Sequence, residues 1–267
     1  MKRTSAWQYG LVSTADAAFM ASAEPGYREF APPAELSAAL HCLWVSVAPT
    51  AAPAAHDLVL PDACTDLIWQ SGAGVFVAGP DTRPAPFLRE PGAVLVGARF
   101  RPGAGGAALG LPLSELLDLR VAGADVPGVP DGRLSGGLPP GEALRRVALA
   151  AAQMVTQRPP DRLVLEAAHQ LDRPGARADL VAKRLEISER QLRRRCQDAV
   201  GYGPALLQRV LRFRRFLSRV DAGEATDLAG LAADVGYADQ PHLTRESSEL
   251  AGLPPAALAR TRGPHPR

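Results

Sequence analysis

Cysteine is scarce: the 267 residues hold three, Cys42, Cys64 and Cys196. Three thiols make no disulfide framework, and the simplest setting for them is a reducing cytoplasm. Long apolar runs are missing too. No stretch approaches the ~20 apolar residues of a membrane span, so no membrane partner is expected. Lys2-Arg3, a mildly apolar run and Ala21-Ser22-Ala23 faintly imitate a secretory leader, but Gln8, Ser13, Thr14 and Asp16 interrupt the apolar part. Metal-ligand spacing is lacking as well. His41, Cys42, His56, Asp62, Cys64 and Asp66 fit no zinc pattern, so neither a metal nor a cofactor is predicted. A thiol or metal sensor at Cys42 or Cys64 remains an alternative. Net charge is only +2, which by itself argues weakly for a polyanionic partner.

The charge is unevenly placed. Lys183 to Arg219 holds eleven basic residues against three acidic ones, and Val220 to Arg262 holds three against seven. The same region contains a short pattern twice. The first copy runs from Ser188 through Leu192, Arg194 and Cys196 to Gly201 and Pro204. The second runs from Asp239 through Leu243 and Arg245 to Gly252 and Pro254. Leu192 and Leu243, Arg194 and Arg245, Gly201 and Gly252, and Ala182 and Ala233 are each 51 positions apart. A fixed offset kept across so many positions points to a duplicated unit.

Each unit reads as a helix-turn-helix. Ser188 with Gln191 makes a capping box. The helix it opens places Leu192, Cys196 and Ala199 on an inner stripe, with Arg190, Arg194 and Gln197 opposite and Arg193 on the flank. An apolar inner face and an arginine-rich outer face after a tight turn form the recognition-helix arrangement. In the second unit Asp239 caps, Pro241 fits the first turn, and Gln240, His242 and Arg245 face out. Pro204 to Asp221 between the units is predicted to be one helix, spanning roughly 27 Å at about 1.5 Å per residue. That is close to the ~34 Å between successive major-groove faces on one side of B-DNA.

Residues 179–262 resemble the DNA-binding domain of the AraC/XylS family of bacterial transcription regulators. The resemblance rests on Ser188-x-Arg190-x-Leu192-x-Arg194, Gly201-x-x-Pro204, Arg212, Ala232-x-x-x-Gly236-Tyr237-x-Asp239-Gln240, His242-Leu243-x-Arg245 and Gly252-x-Pro254. It implies double-stranded promoter DNA as partner, with RNA polymerase alongside, and a non-enzymatic role. Candidate DNA contacts are Arg190, Arg193, Arg194, Gln197, Arg212, Gln240, His242 and Arg245; of Arg212, Arg214 and Arg215 on the linking helix, one or two are expected at phosphate and the rest paired with nearby carboxylates. Cys196 and Ser247 stand where the family usually has phenylalanine, and Pro241 replaces a small or polar residue. These departures predict a second unit that packs more loosely.

Upstream, short strand candidates alternate with turn signals such as Pro61-Asp62, Gly79-Pro80-Asp81 and Pro91-Gly92. They predict a small antiparallel sheet or barrel of five or six strands. Pro61 to Trp69, Val77 to Pro80 and Val96 to Gly103 are similar to a domain found before AraC-type DNA-binding domains in many bacterial regulators. That similarity implies a sensory module for an unknown small-molecule effector, and such modules are often cupin-like barrels. Trp44, Trp69, Phe76, Phe100 and Arg99 are the candidate pocket residues. The fold class is therefore α+β, an antiparallel β domain with flanking helices followed by an all-α double helix-turn-helix domain. The expected division is 1–122 sensory domain, 123–141 Gly/Pro-rich linker, 142–174 connecting helices available for dimerisation and 175–267 DNA-binding domain, as monomer or homodimer.

Two other functions fit less of the sequence. One is a protein that sequesters a small molecule and binds DNA secondarily. The other is cysteine methyl-transfer DNA repair, which some proteins with AraC-type domains perform with a cysteine cluster on zinc. The N-terminal half offers that chemistry only Cys42 and Cys64.

Overall fold

The computed structural model describes residues 24–51, 53–130, 134, 137–225 and 227–262. The expected N-terminal arm and its leader-like stretch lie outside them, apart from Glu24 and Pro25. Eight strands follow: β1 (Gly26–Phe30), β2 (Leu40–Val47), β3 (Ala55–Val59), β4 (Thr65–Gln70), β5 (Gly74–Ala78), β6 (Ala85–Arg89), β7 (Val94–Phe100) and β8 (Arg120–Ala122). Six form one antiparallel sheet in the order β1-β2-β7-β4-β5-β8, and β3 pairs with β6 as a separate ribbon. β1 and β8 are the two ends of the sheet's order and do not pair with each other, so among the described residues it is an open sheet.

The strand period of two divides this sheet into two faces. Leu43, Val45, Leu67, Trp69, Val77, Val96, Ala98 and Phe100 fill one. Helix α2 (Pro140–Gln157) packs on that face, against β7, β2 and β4, through Ala143, Val147, Ala150, Ala151 and Met154. These positions recur at three- and four-residue intervals, the spacing of one helical stripe. The expected connecting helices therefore part company. α2 seals the N-terminal core, while α3 (Arg162–Leu171) buries Val164, Ala167, Ala168 and Leu171 in the C-terminal one. The expected Gly/Pro linker is also partly drawn in, since Val126 and Leu134 lie in the N-terminal core. α1 (Gly105–Leu109) and a 3-10 turn at Leu113–Leu116 complete the N-terminal domain toward the C-terminal one.

The C-terminal domain is helical: α4 (Ala178–Arg184), α5 (Glu189–Val200), α6 (Pro204–Asp221), α7 (Leu228–Asp234), α8 (Gln240–Ala251) and α9 (Pro255–Thr261). Its core centres on α6, with Leu207, Val210, Phe213 and Phe216 buried between Leu192 of α5 and Leu243 of α8. The duplication is visible with one correction. The recognition helices keep the offset of 51, and Gly201 and Gly252 end them with φ of +94° and +68°. The support helices are instead offset by 50. Ile187 N–H donates to Ala182 O at 3.1 Å, and Tyr237 N–H donates to Ala232 O at 2.8 Å. Ala182 thus matches the buried Ala232, whereas Ala233 is exposed. The second turn is one residue longer, so the sequence offset does not carry through it.

Candidate nucleic-acid interface

The helix most heavily loaded with free positive charge is α5. Its N-terminus is held as expected: Ser188 Oγ accepts from Gln191 N–H, and the Gln191 side chain accepts from Ser188 N–H at 2.9 Å. Both bonds satisfy groups that a helix start leaves unpaired. Leu192, Cys196 and Val200 are buried, which turns Arg190, Arg193, Arg194 and Gln197 out to solvent. None of these three arginines makes a hydrogen bond or ion pair among the described residues. They stay hydrated and available to an acceptor. Burial pushes the Cys196 thiol up to about 12, so this residue packs the helix and is chemically quiet.

In the second unit Asp239 Oδ1 accepts from His242 N–H at 2.7 Å and caps α8. Pro241 sits in the first turn, where its missing N–H breaks no helical bond. Gln240 and Arg245 are exposed, and Arg245 has no partner among the described residues. His242 is engaged within the protein. Its ring meets the Tyr237 ring edge-on, with centroids 5.2 Å apart, and its Nε2 lies 3.4 Å from Glu246 Oε1. The side chain is turned toward Tyr237 and Glu246 and is half-buried.

Arg212 is also engaged within the protein. Its side chain is only 14% exposed, it donates to Glu246 Oε1 at 2.5 Å, and its guanidinium lies 4.6 Å from the Tyr237 ring centroid. A cation held by a buried carboxylate and an aromatic face braces α6 against α8. Arg209 adds a bond to Glu246 at 3.1 Å and pairs with Glu249. Arg214 and Arg215 both bind Asp172, each at 2.7 Å, tying α6 to the end of α3. The sequence reading missed Glu246. Its signal was present, because Leu243, Glu246, Ser247 and Leu250 share the inner stripe, and an acidic residue there needs a cation from the facing helix.

The five candidate pocket residues of the N-terminal domain do not share a wall. Trp69 and Phe100 are on the face under α2, 1% and 0% exposed. Trp44, Phe76 and Arg99 are on the opposite face, because β-pairing sets Trp44 against Gly97, Gly97 against Ile68, and Ile68 against Phe76. There Trp44 Nε1 donates to Asp66 Oδ1 at 2.7 Å, and Arg99 Nε donates to the same oxygen at 3.2 Å. Burial raises the Asp66 carboxyl against the pull of Arg99. Desolvation also pushes the Cys42 thiol up to about 12 and raises that of Cys64. All three cysteines are free and buried, and among the described residues no group of three or more His, Cys, Asp or Glu is placed to hold a metal ion. No helix among them is long and apolar enough to cross a membrane.

The first unit is also docked to the N-terminal domain. Ala63, in the loop before β4, is buried in the C-terminal core with a φ of +65°. The α1 backbone and the Leu113–Leu116 turn lie against α5. A Cβ added at Gly106 would fall 2.6 Å from the Asp198 carbonyl oxygen, so the two backbones meet there with no room for a side chain.

Residues 181–261 match a family model described as a helix-turn-helix domain, and residues 28–122 match a domain of unknown function. No curated protein matches the chain. Among solved structures, the chain is similar to a point variant of ToxT from Vibrio cholerae strain SCE256 in its apo form, with 11% identity, 82% of this chain and 97% of that chain covered, and a TM-score of 0.45. ToxT from Vibrio cholerae O395 is similar with 10% identity, 82% and 96% covered, and a TM-score of 0.44.

Proposed function

We propose that this chain, whose C-terminal domain is an AraC-type helix-turn-helix of a DNA-binding and non-enzymatic family, is a one-component transcription regulator. In this reading it works in the cytoplasm on double-stranded promoter DNA and alongside RNA polymerase. Arg190, Arg193, Arg194 and Gln197 of α5 enter one major groove, and Gln240 and Arg245 of α8 enter the next. The 18 residues of α6 give roughly 27 Å of spacing for this. Arg212 and His242 act by holding α8 in place. The observation that carries the reading is a contrast in charge use. The arginines of α6 that face other helices are committed to carboxylates, whereas those on the outer faces of α5 and α8 are free. A free guanidinium on a rigid helix can take guanine O6 and N7 together. The N-terminal domain is the effector module, and an occupant there shifts the population of DNA-competent states. The test is selection of binding sites by the full-length protein from a random duplex pool. Enrichment of two half-sites about one helical turn apart is expected. Recovery of no preferred sequence at physiological salt would sink the reading and favour a sequestering protein.

A further inference from the structure

Free positive charge does not stop at the helix-turn-helix units. The segment joining α2 to α3 reads Arg158-Pro159-Pro160-Asp161-Arg162. Neither of its two guanidinium groups has a hydrogen-bond or ion-pair partner among the described residues. Arg162 is exposed and Arg158 half-buried. The segment is held at both ends. Arg158 N–H donates to Met154 O at 2.9 Å and closes α2. Asp161 Oδ1 accepts from Leu163 N–H at 2.9 Å and caps α3. The two prolines in the middle fix their own φ and restrict the residue before them. Both arginines therefore project from a stiff backbone.

The segment is also fastened to α5, where Asp161 Oδ2 accepts from Arg195 Nη1. Leu111 and Pro112 share a cleft with Arg194 and Arg195 of α5. Arg158 lies beside that cleft, its Nε 3.2 Å from where a Cβ on Gly110 would stand. At about 100° per residue, Arg190, Arg194 and Gln197 form the outer face of α5, with Arg193 on one flank and Arg195 and Asp198 on the other. The flanks differ in charge. Arg193 puts a free cation on the first, close to Gly203 at the start of α6. On the second, Arg195 is taken by Asp161, and Asp198 is acidic. The free cations on that side are those of the connector.

A major groove about 12 Å wide has a phosphodiester strand on each side of a helix lying in it. Arg193 is on the side of one strand. We propose that Arg158 and Arg162 bind the other, so that the connector between the domains is part of the DNA-binding surface. Which strand they meet rests on the reading of α5 as the helix that enters the groove, and the phosphate contact itself does not. A guanidinium on a stiff backbone offers a phosphate paired donors and loses little freedom on binding. The contact carries no base information, so it adds affinity to every duplex and preference to none. Asp198, in the last turn of α5, stands away from the N-terminal residues with which recognition helices meet DNA.

The test measures the affinity of the full-length protein against salt concentration, on a selected duplex and on an unrelated one. Arg158→Ala and Arg162→Ala should each flatten the slope of log affinity against log salt by about one unit on both duplexes, a loss of about tenfold at about 0.1 M salt. Arg158→Lys should restore the slope, which separates the charge of Arg158 from its packing over Gly110. The melting temperature of each variant is checked alongside. Arg89→Ala removes the same charge from the β3–β6 ribbon and should leave the slope unchanged. Hydroxyl-radical cleavage should show sugars beside the α5 half-site protected on one strand by the wild type and cut in the double variant of Arg158→Ala and Arg162→Ala. Wild-type slopes in both alanine variants, or an equal change in Arg89→Ala, overturn the proposal, and the reading of α5 stands if the selected duplex is still preferred. If the slopes flatten and no duplex is preferred, base reading by α5 falls and the connector stands as a phosphate contact.

Discussion

The two recognition helices carry different chemistry at positions 51 residues apart. Leu192 and Leu243 are buried alike, and Arg194 and Arg245 are exposed alike. Arg195 and Glu246 are the same position with opposite charge. Arg195 makes a half-exposed pair with Asp161, whereas Glu246 is 7% exposed and held by Arg209 and Arg212. Cys196 and Ser247 are both fully buried, but the Ser247 hydroxyl has no partner. The first unit is positioned by a capping box and by contact with the N-terminal domain. The second is positioned by a buried ionic network. The expected looseness of the second unit therefore meets an offsetting feature that the missing aromatics did not reveal.

The largest expected effect breaks that network. Glu246→Ala leaves Arg212 buried without its main carboxylate and should cost about 3 kcal/mol or more in urea denaturation. Arg195→Ala, at the matching position, should cost under about 1 kcal/mol because its pair is solvent-screened. Similar losses for both would remove the distinction between the units. Next come the free arginines. Alanine at whichever of Arg190, Arg193 and Arg194 reads a base should cost about 1–3 kcal/mol at a selected site and relax preference at one base pair, measured by mobility shift on mutated duplexes. Uniform loss on every duplex would reduce them to phosphate contacts.

Salt titration sharpens the same contrast. Arg193→Ala should flatten the slope of log affinity against log salt by about one unit if it touches phosphate. Arg212→Ala should lower stability and leave the slope unchanged, because its charge is already spent on Glu246. Packing should give a smaller effect. Ser247→Cys replaces an unpartnered buried hydroxyl with the first unit's residue and should stabilise by about 1 kcal/mol in a thermal melt. Ser247→Phe should lower the melting temperature, since the site is 0% exposed and already enclosed by neighbours. The smallest effect is chemical. With the Cys42 and Cys196 thiols pushed to about 12, only about one part in ten thousand is thiolate at pH 8. A disulfide reagent should label neither in the native protein and both after unfolding.

Local chemistry was legible in the chain before any fold was known. The capping box at Ser188, the inner stripe of α5, the cap at Asp239 and the alternation of short strands with turns such as Gly79-Pro80-Asp81 depend on neighbours within a few residues, and period and capping rules read those directly. Partners far apart in sequence were not legible. Arg212 looks like any cation on a linker helix until Glu246, 34 residues on, is seen to face it. Trp44 and Trp69 look like one aromatic lining until strand register sends them to opposite faces. α2 looks like a connector until the sheet supplies the surface its stripe needs. In each case the deciding term is burial against, or pairing with, a group brought near by the fold, and that energy exists only once the tertiary structure has formed.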